Sequence, residues 1–587
     1  MADAPPATTT ATRPDAGAPA PAWAPSGRVL ARAAALTAAL TALGALLGLV
    51  RDQLLARTFG AGTGTDAFLV AWTVPEFAAT LLIEDGMALV LVPAFAAALA
   101  RRADRVPGTA PGPGAGPAPD PVRALVRATL PGTLLGTGAA AGLLVLAAPQ
   151  VVPLLAPGLP DRQLAVDCTR LTATCLLSFA LAGYASAVLR AHGRFLAPAA
   201  IYAAYNTGII AAVVLLGPGT WGVRAAAAGV AAGGALMVLI QAPSLWRHVR
   251  PGRPAGDPAA PSQTHAEPAD PGRRPAGEPT SSAPKPSPKD HHAPRLALAA
   301  LAPVIVFAVS RQSQVLVERF LAAPLPAGAI SHLNYAQKVA QLPMVLSLMI
   351  CTVSFPVVAR ALAAGDTATA RRRAERDLLL AAVIVLVGAA TVVAAAPQIV
   401  QALFQRGAFD GADTAATASV MRVYALGLLG QTLVGALVRC YFSASRPLWY
   451  PAAVMLGGIA VTAAAGSAWA GTWGAPGIAA ANALGISLTA ALLLLGAHRQ
   501  SVPLDVRRLA AGLARLTAAA ATATAAGWWC AAGPPLVAVA LACLTVPAAF
   551  TATACALRAP VVPALVRSAV RTVHRPAGSR GPAGPRP

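Results

Sequence analysis

Long apolar runs alternate with short polar connections along most of the chain. About fourteen of these runs hold roughly 20 residues or more, the length that an α-helix needs to cross the hydrocarbon core of a bilayer. The predicted spans are residues 29–50, 66–100, 124–148, 165–189, 196–217, 222–245, 296–322, 328–360, 377–400, 417–440, 448–470, 474–498, 509–532 and 535–557. The pattern predicts an all-α polytopic membrane protein.

Two halves of the chain repeat each other. The tetrapeptide GTWG at 219–222 recurs at 471–474, and Arg194 and Arg446 match at the same offset. Copies separated by six spans have the same orientation, so they predict two pseudo-symmetric six-helix lobes with the substrate between them. The predicted segments are a disordered tail 1–27, an N-lobe 28–246, a disordered Pro-rich linker 247–294, a C-lobe 295–498, two additional C-terminal helices within 499–557, and a basic tail 558–587.

Arginine clusters mark alternate connections between the spans. Arg101 and Arg102, Arg371 and Arg372, and Arg507 are examples, whereas the intervening connections contain few basic residues. By the positive-inside rule this alternation predicts that both termini lie in the cytoplasm. The membrane that the chain crosses is predicted to be the plasma membrane. The net charge of +22 is divided among these short clusters. We therefore predict contacts with anionic membrane lipids and no nucleic-acid partner.

The composition agrees with a membrane protein, and the spacing of its cysteines and lysines argues against metal-binding and nucleotide-binding sites. The chain is 56% hydrophobic and 12% charged, with a mean hydropathy of +0.61. Its seven cysteines show neither CxxC nor Cys/His metal-ligand spacing, and its lysines follow no Gly-rich phosphate loop. Because no set of residues converges on one reaction, we predict no metal, no cofactor and no catalytic residues. The chain is predicted not to be an enzyme.

Ionisable residues within the first two predicted spans and the turn between them are the first candidate site. They include Arg51, Asp52, Asp66 and Glu84. A charge at mid-bilayer costs roughly 2.5–3.5 kcal/mol, so such residues usually face a cavity or a partner. We expect the carboxylates Asp66 and Glu84 to pair with cations when the site is empty.

A second polar cluster occupies the seventh and eighth spans. It contains Arg311, Glu318, Arg319 and Lys338. In one interpretation Glu318 pairs with Arg311 or Arg319 and only makes membrane insertion tolerable. In the other, cations from both halves hold an anionic headgroup such as a pyrophosphate, because arginine grips phosphate bidentately and lysine acts as a point charge.

The segment Arg51–Pro75, RDQLLARTFGAGTGTDAFLVAWTVP, resembles the opening signature of the MurJ/MviN family. These are lipid II flippases of the multidrug/oligosaccharidyl-lipid/polysaccharide exporter superfamily. Leu316–Pro343 and Ala402–Pro447 resemble the second half of the same family. The resemblance implies a V-shaped bundle of two lobes and two extra helices around a cationic cavity. Its function would be to translocate an undecaprenyl-pyrophosphate-linked peptidoglycan precursor. The resemblance places the following residues on charged positions of the family pattern: Arg51, Asp52, Asp66, Glu84 and Lys338.

Four positions differ from the family pattern. Ala45, Ala79 and Thr80 stand where the family commonly has basic residues, and Gln341 stands where it has an acidic one. These losses leave two alternatives open. One is export of another lipid-linked glycan or an amphipathic small molecule. The other is a transport-dead scaffold that recruits cell-wall synthesis proteins through its tails and linker.

Overall fold

The computed structural model describes residues 27–84, 86–103, 120–249, 293–442, 448–500 and 503–573. Within these ranges the chain forms helices joined by turns, and no β-strand occurs. The predicted fold class is therefore confirmed. Apart from their edges, the predicted tail 1–27 and linker 247–294 lie outside the described residues, as does the end of the tail 558–587.

The first half of the chain forms the helices of the N-lobe. They are α1 Gly27–Phe59, α2 Thr63–Ala79, a π-helical turn Thr80–Glu84, α3 Gly86–Ala103, α4 Pro121–Leu155, α5 Arg162–Ala173, α6 Cys175–Ala191, α7 Leu196–Leu216 and α8 Arg224–Val249. Asp120 and Asp161 cap α4 and α5 by accepting backbone N–H groups of their first turns.

The second half forms the C-lobe, two further long helices and a short terminal helix. They are α9 Ala293–Ala322, α10 Ala329–Ala340, α11 Leu342–Ala363, α12 Thr367–Phe404, α13 Gly411–Leu426, α14 Leu428–Phe442, α15 Tyr450–Trp473, α16 Ala475–Gln500, α17 Val506–Cys530, α18 Pro535–Ala556 and α19 Val562–Val573. The predicted basic tail thus begins with a helix, α19, in which Val562 is buried and Arg567 is exposed.

Each predicted span coincides with a helix or with consecutive helices. In the described part of the chain, 11 of these are long and apolar enough to cross a membrane, or 12 with the bent pair α13 and α14. The remaining two predicted spans correspond to α9 and to α10 with α11. The charged cluster predicted from the sequence, including Arg311, Glu318 and Lys338, lies on α9 and α10.

Four of the predicted spans, 66–100, 165–189, 328–360 and 417–440, comprise more than one helix. The span 66–100 changes from α2 to a π-helical turn shortly after Pro75, which has no N–H to donate within the helix. Gly183 on α6 lies so close to the backbone of Leu82 that a side chain there would collide with it. In the span 417–440 the chain bends by 44° between α13 and α14.

The repeated segments form equivalent helix pairs, α7 with α8 and α15 with α16. Glycines allow the two helices of each pair to approach closely. A Cβ added to Gly233 would lie 2.5 Å from the Tyr205 carbonyl oxygen, and one added to Gly485 would lie 2.5 Å from that of Gly458. The same packing therefore recurs in both lobes.

The two helices that follow the C-lobe pack against its longest helix, α12. The Gln398 side chain on α12 donates to the Ala531 carbonyl oxygen at 2.8 Å, at the end of α17. The Arg422 guanidinium lies 4.1 Å from the ring centroid of Trp528. Through these contacts α17 and α18 are attached to the C-lobe.

Replacing Gly458 by leucine should disrupt the α15–α16 pair. A Cβ at this buried position would already lie 2.9 Å from the Gly485 carbonyl oxygen. Overpacking of this kind lowers the free energy of unfolding by roughly 1–3 kcal/mol. We expect a lower thermal midpoint of the purified protein in detergent. Gly457→Leu is the matched control, because Gly457 is exposed with open space around it. Equal midpoints for the two variants would contradict the packing described here.

Candidate functional site

A cavity of about 480 Å³ lies between the two lobes. It is bounded by α2 and the π-helical turn of the N-lobe and by helices of the C-lobe. Its charged side chains are Glu76, Arg311 and Lys338. Its amide side chains are Gln312, Gln314, Gln337, Gln341 and Gln431. Apolar groups, among them Phe307 and Phe442, complete the wall. The cavity is therefore polar, with two cations and one carboxylate.

Lys338 enters the cavity next to residues of the N-lobe. Its Nζ lies 3.7 Å from Oδ2 of Asp52 and 4.2 Å from the ring centroid of Trp72. The Arg51 guanidinium lies 4.3 Å from the same centroid. An aromatic face attracts cations, so Trp72 helps to hold two positive groups near each other. The structure thus brings together Arg51, Asp52 and Lys338, three of the residues that the sequence analysis selected as candidate site residues.

Arg51 is fixed by its neighbours within the N-lobe. Its Nη2 donates to Oδ1 of Asp52 at 2.7 Å, and its Nη1 donates to Oδ1 of Asn206 at 2.7 Å. Asn206 in turn donates to the Gly44 carbonyl oxygen at 2.9 Å. Arg51 and Asp52 are both buried. Asp52 therefore uses one oxygen for Arg51 and turns the other toward Lys338.

A second ion pair joins the lobes at α2. Arg319 on α9 donates to the Leu69 carbonyl oxygen at 2.6 Å, to the Thr73 hydroxyl, and to Oε2 of Glu76 at 3.2 Å. Arg319 belongs to the second polar cluster of the sequence analysis, whereas Glu76 was not among the residues selected there. The sequence feature that could have identified this pair is that both residues are ionisable and lie within predicted spans.

Glu318 lies next to Arg319 in the chain but turns into the C-lobe. Its carboxylate accepts hydrogen bonds from the Tyr424 hydroxyl and the Asn482 amide. All three side chains are buried. The arrangement differs from the sequence interpretation in which Glu318 pairs with Arg311 or Arg319, because Arg319 instead forms its ion pair with Glu76.

Asp66 joins the lobes at the start of α10. Its oxygens accept hydrogen bonds from the backbone N–H groups of Gly328 at 2.7 Å and Ser331 at 2.8 Å, and from the Ser331 hydroxyl. A carboxylate at a helix N-terminus satisfies N–H groups that the helix leaves unpaired. Asp66 thus caps a helix of the other lobe, whereas the sequence analysis paired it with a cation.

Further contacts close the same end of the interface. The backbone N–H of Ala61 donates to Oδ2 of Asp413 at 3.3 Å, and that of Ala408 donates to the Arg57 carbonyl oxygen at 2.9 Å. The alternation of arginine clusters predicts that these connections lie on the outer side, although Arg57 and Arg406 are exceptions to it. The remaining candidate, Glu84, ends the π-helical turn, and its side chain lies outside the described residues.

Removing the Asp66 carboxylate should loosen this end of the interface. Asp66→Ala deletes the acceptor of the Gly328 and Ser331 N–H groups, and a hydrogen bond to a charged group contributes about 1.5–3 kcal/mol. We expect hydrogen exchange of these amides to accelerate about tenfold or more, measured by mass spectrometry. Asp161→Ala is the control, because Asp161 is exposed and caps α5 within one lobe. Unchanged exchange in Asp66→Ala would show that other groups hold these amides.

Comparisons with known proteins give a consistent result. The family model described as "Lipid II flippase MurJ" matches residues 55–535. A lipid II flippase MurJ from Burkholderia cenocepacia is 25% identical over 477 residues, which cover 78% of this chain and 82% of the relative. A probable lipid II flippase MurJ from Vibrio cholerae is 28% identical over 229 residues, covering 38% of this chain and 43% of the relative.

Solved structures share the fold. A lipid II flippase MurJ in an inward closed conformation superposes with a TM-score of 0.68 at 17% identity, covering 89% of this chain and 99% of that structure. An inward-facing multidrug resistance transporter of the MATE family, in the MOP superfamily, gives a TM-score of 0.59 at 13% identity, with coverages of 81% and 99%. The two-lobed arrangement is therefore common to both.

Proposed function

The chain belongs to the lipid II flippase MurJ family, and from this premise we propose that it translocates lipid II across the plasma membrane by alternating access. The family resemblance inferred from the sequence is confirmed. The chain is a multi-pass membrane protein of a transporter family. The proposal adds that the membrane is the plasma membrane and that both termini are cytoplasmic. The alternation of arginine clusters supports the orientation of the termini.

The observation that carries the proposal is the polar cavity between the lobes. A lipid-linked diphosphate sugar must cross the bilayer with its headgroup in polar surroundings. Arg311 and Lys338 supply positive charge on the cavity wall, and glutamine amides can both donate to and accept from sugar hydroxyls. Its volume of about 480 Å³ suits the diphosphate and part of the attached sugar.

The ion pairs of the cavity can exchange their anions for phosphate. The Lys338 side chain is 27% exposed, and its contact with Asp52 spans 3.7 Å. A phosphate oxygen that approaches Lys338 therefore competes with a loosely held carboxylate. We propose that the substrate takes this place and that Arg51, held against the Trp72 ring, adds to the positive field.

The contacts between the lobes support alternating access. Asp66, Ala61 and Ala408 join the lobes at the end predicted to be the outer side. Release of a headgroup on that side requires these hydrogen bonds to break. The cavity would then open outward as one lobe rocks against the other, the usual motion of transporters built from repeats.

Neutralising either cavity cation should strongly reduce transport. We expect wild-type protein to rescue cells depleted of their own lipid II flippase. In Arg311→Ala or Lys338→Ala, lipid II reaching the outer leaflet should fall by about tenfold or more, equivalent to about 1.4 kcal/mol of lost interaction. Arg372→Ala is the control, since Arg372 is exposed near the start of α12. Membrane levels of all variants are measured by immunoblot. Normal rescue by both cavity variants would refute the assigned site.

The same assay separates the alternatives. A scaffold would lose function when residues 255–290 are deleted and would tolerate the cavity variants. An exporter of a different lipid-linked glycan would fail to rescue despite normal membrane expression, and its substrate would be found by competition in vesicles.

A further inference from the structure

A third cation lies beside the cavity. The Arg319 side chain is only 7% exposed, and its guanidinium is bound along two edges. Nη1 donates to the Leu69 carbonyl oxygen at 2.6 Å and to the Thr73 hydroxyl, whereas Nη2 donates to Oε2 of Glu76 at 3.2 Å. Nη1 is thus held by a backbone carbonyl and a hydroxyl of α2. Nη2 instead contacts a carboxylate, that of Glu76, which lies on the same helix.

Glu76 connects Arg319 to the cavity. Its side chain is 32% exposed and lines the same cavity as Arg311 and Lys338. Gln337, which also lines that cavity, borders a smaller space next to Arg319. A small movement of the Glu76 side chain would therefore expose the Nη2 edge of Arg319 to whatever occupies the cavity.

Glu318, the carboxylate next to Arg319 in the chain, does not replace Glu76 as the ion-pair partner of Arg319. Glu318 accepts hydrogen bonds from Tyr424 and Asn482 within the C-lobe. In the described part of the chain, Glu76 is the carboxylate that forms an ion pair with Arg319. A buried arginine deprived of its anion is strongly destabilising, so Arg319 should give up Glu76 only in exchange for another anion.

We propose that Glu76 occupies the place of a phosphate in the empty cavity and that Arg319 is a third phosphate-binding cation. When the diphosphate of the substrate enters, a phosphate oxygen replaces Oε2 of Glu76 at Nη2, while Nη1 stays bound to α2. This inference rests on the proposed function and adds two binding residues to it. The planar guanidinium suits such an exchange, because its donors match carboxylate and phosphate oxygens alike.

A double-mutant cycle tests the exchange. Lipid II binding to the purified full-length protein in detergent is measured for the wild type, Glu76→Gln, Arg319→Gln and the double variant. We expect Glu76→Gln to tighten binding about tenfold, because it removes the competing carboxylate, and Arg319→Gln to weaken it about tenfold. In the Arg319→Gln background, Glu76→Gln should have little effect. Arg319→Lys, which keeps the charge but loses the fork, should bind with intermediate affinity.

The control replaces a carboxylate in an ion pair within one lobe. Asp167 lies 2.8 Å from Arg224, and both side chains are partly exposed. Asp167→Asn should bind lipid II like the wild type, and thermal midpoints show that every variant is folded. Weaker binding by Glu76→Gln, or equal tightening in both backgrounds, would overturn the exchange. If the folded wild type fails to bind lipid II, the proposed function fails, and the same cycle with inorganic pyrophosphate then decides whether Glu76 and Arg319 exchange anions.

Discussion

The structure depends on how charges are accommodated among apolar helices. An ionised group away from water is costly unless another charge or several hydrogen bonds compensate it. Here the compensation often comes from the other lobe. Lys338 of the C-lobe meets Asp52 of the N-lobe, and Arg319 meets Glu76. Each lobe contains buried charges that are compensated by opposite charges of the other lobe. The ion pairs therefore make membrane insertion of these charges possible and also hold the lobes together around the cavity.

One face of α2 makes most of these contacts. Asp66, Leu69, Thr73 and Glu76 are spaced three or four residues apart, which places them on the same side of a helix. Asp66 caps α10, and the other three bind Arg319 on α9. Trp72, next to Thr73, lies against Lys338. The helix therefore links the closed end of the interface to the cavity wall, and any rocking of the lobes must disturb this face.

The sequence was sufficient for the helices but only partly for the site. Hydrophobic runs predict spans because the bilayer demands about 20 apolar residues, and all fourteen predicted spans correspond to helices. The intramembrane charges led to the selection of Arg51, Asp52 and Lys338 as candidate site residues, and the structure places these three close together. The sequence does not show which charged residues pair when they lie far apart in the chain. Glu76 and Arg319, for example, are separated by 243 positions. Local spacing allowed Glu318 to pair with Arg311 or Arg319, whereas in the structure Glu318 accepts a hydrogen bond from Tyr424.

The distribution of charge between the lobes suggests how binding is coupled to movement. The cavity cations Arg311 and Lys338 and the neighbouring Arg319 come from α9 and α10 of the C-lobe, whereas Arg51 of the N-lobe is already paired with Asp52. Two of these cations, Lys338 and Arg319, contact the N-lobe carboxylates Asp52 and Glu76. On the proposed mechanism, a bound diphosphate neutralises the cations and releases those carboxylates. The attraction between the lobes then falls when the cavity is loaded, which is when an alternating-access transporter must let its lobes move apart.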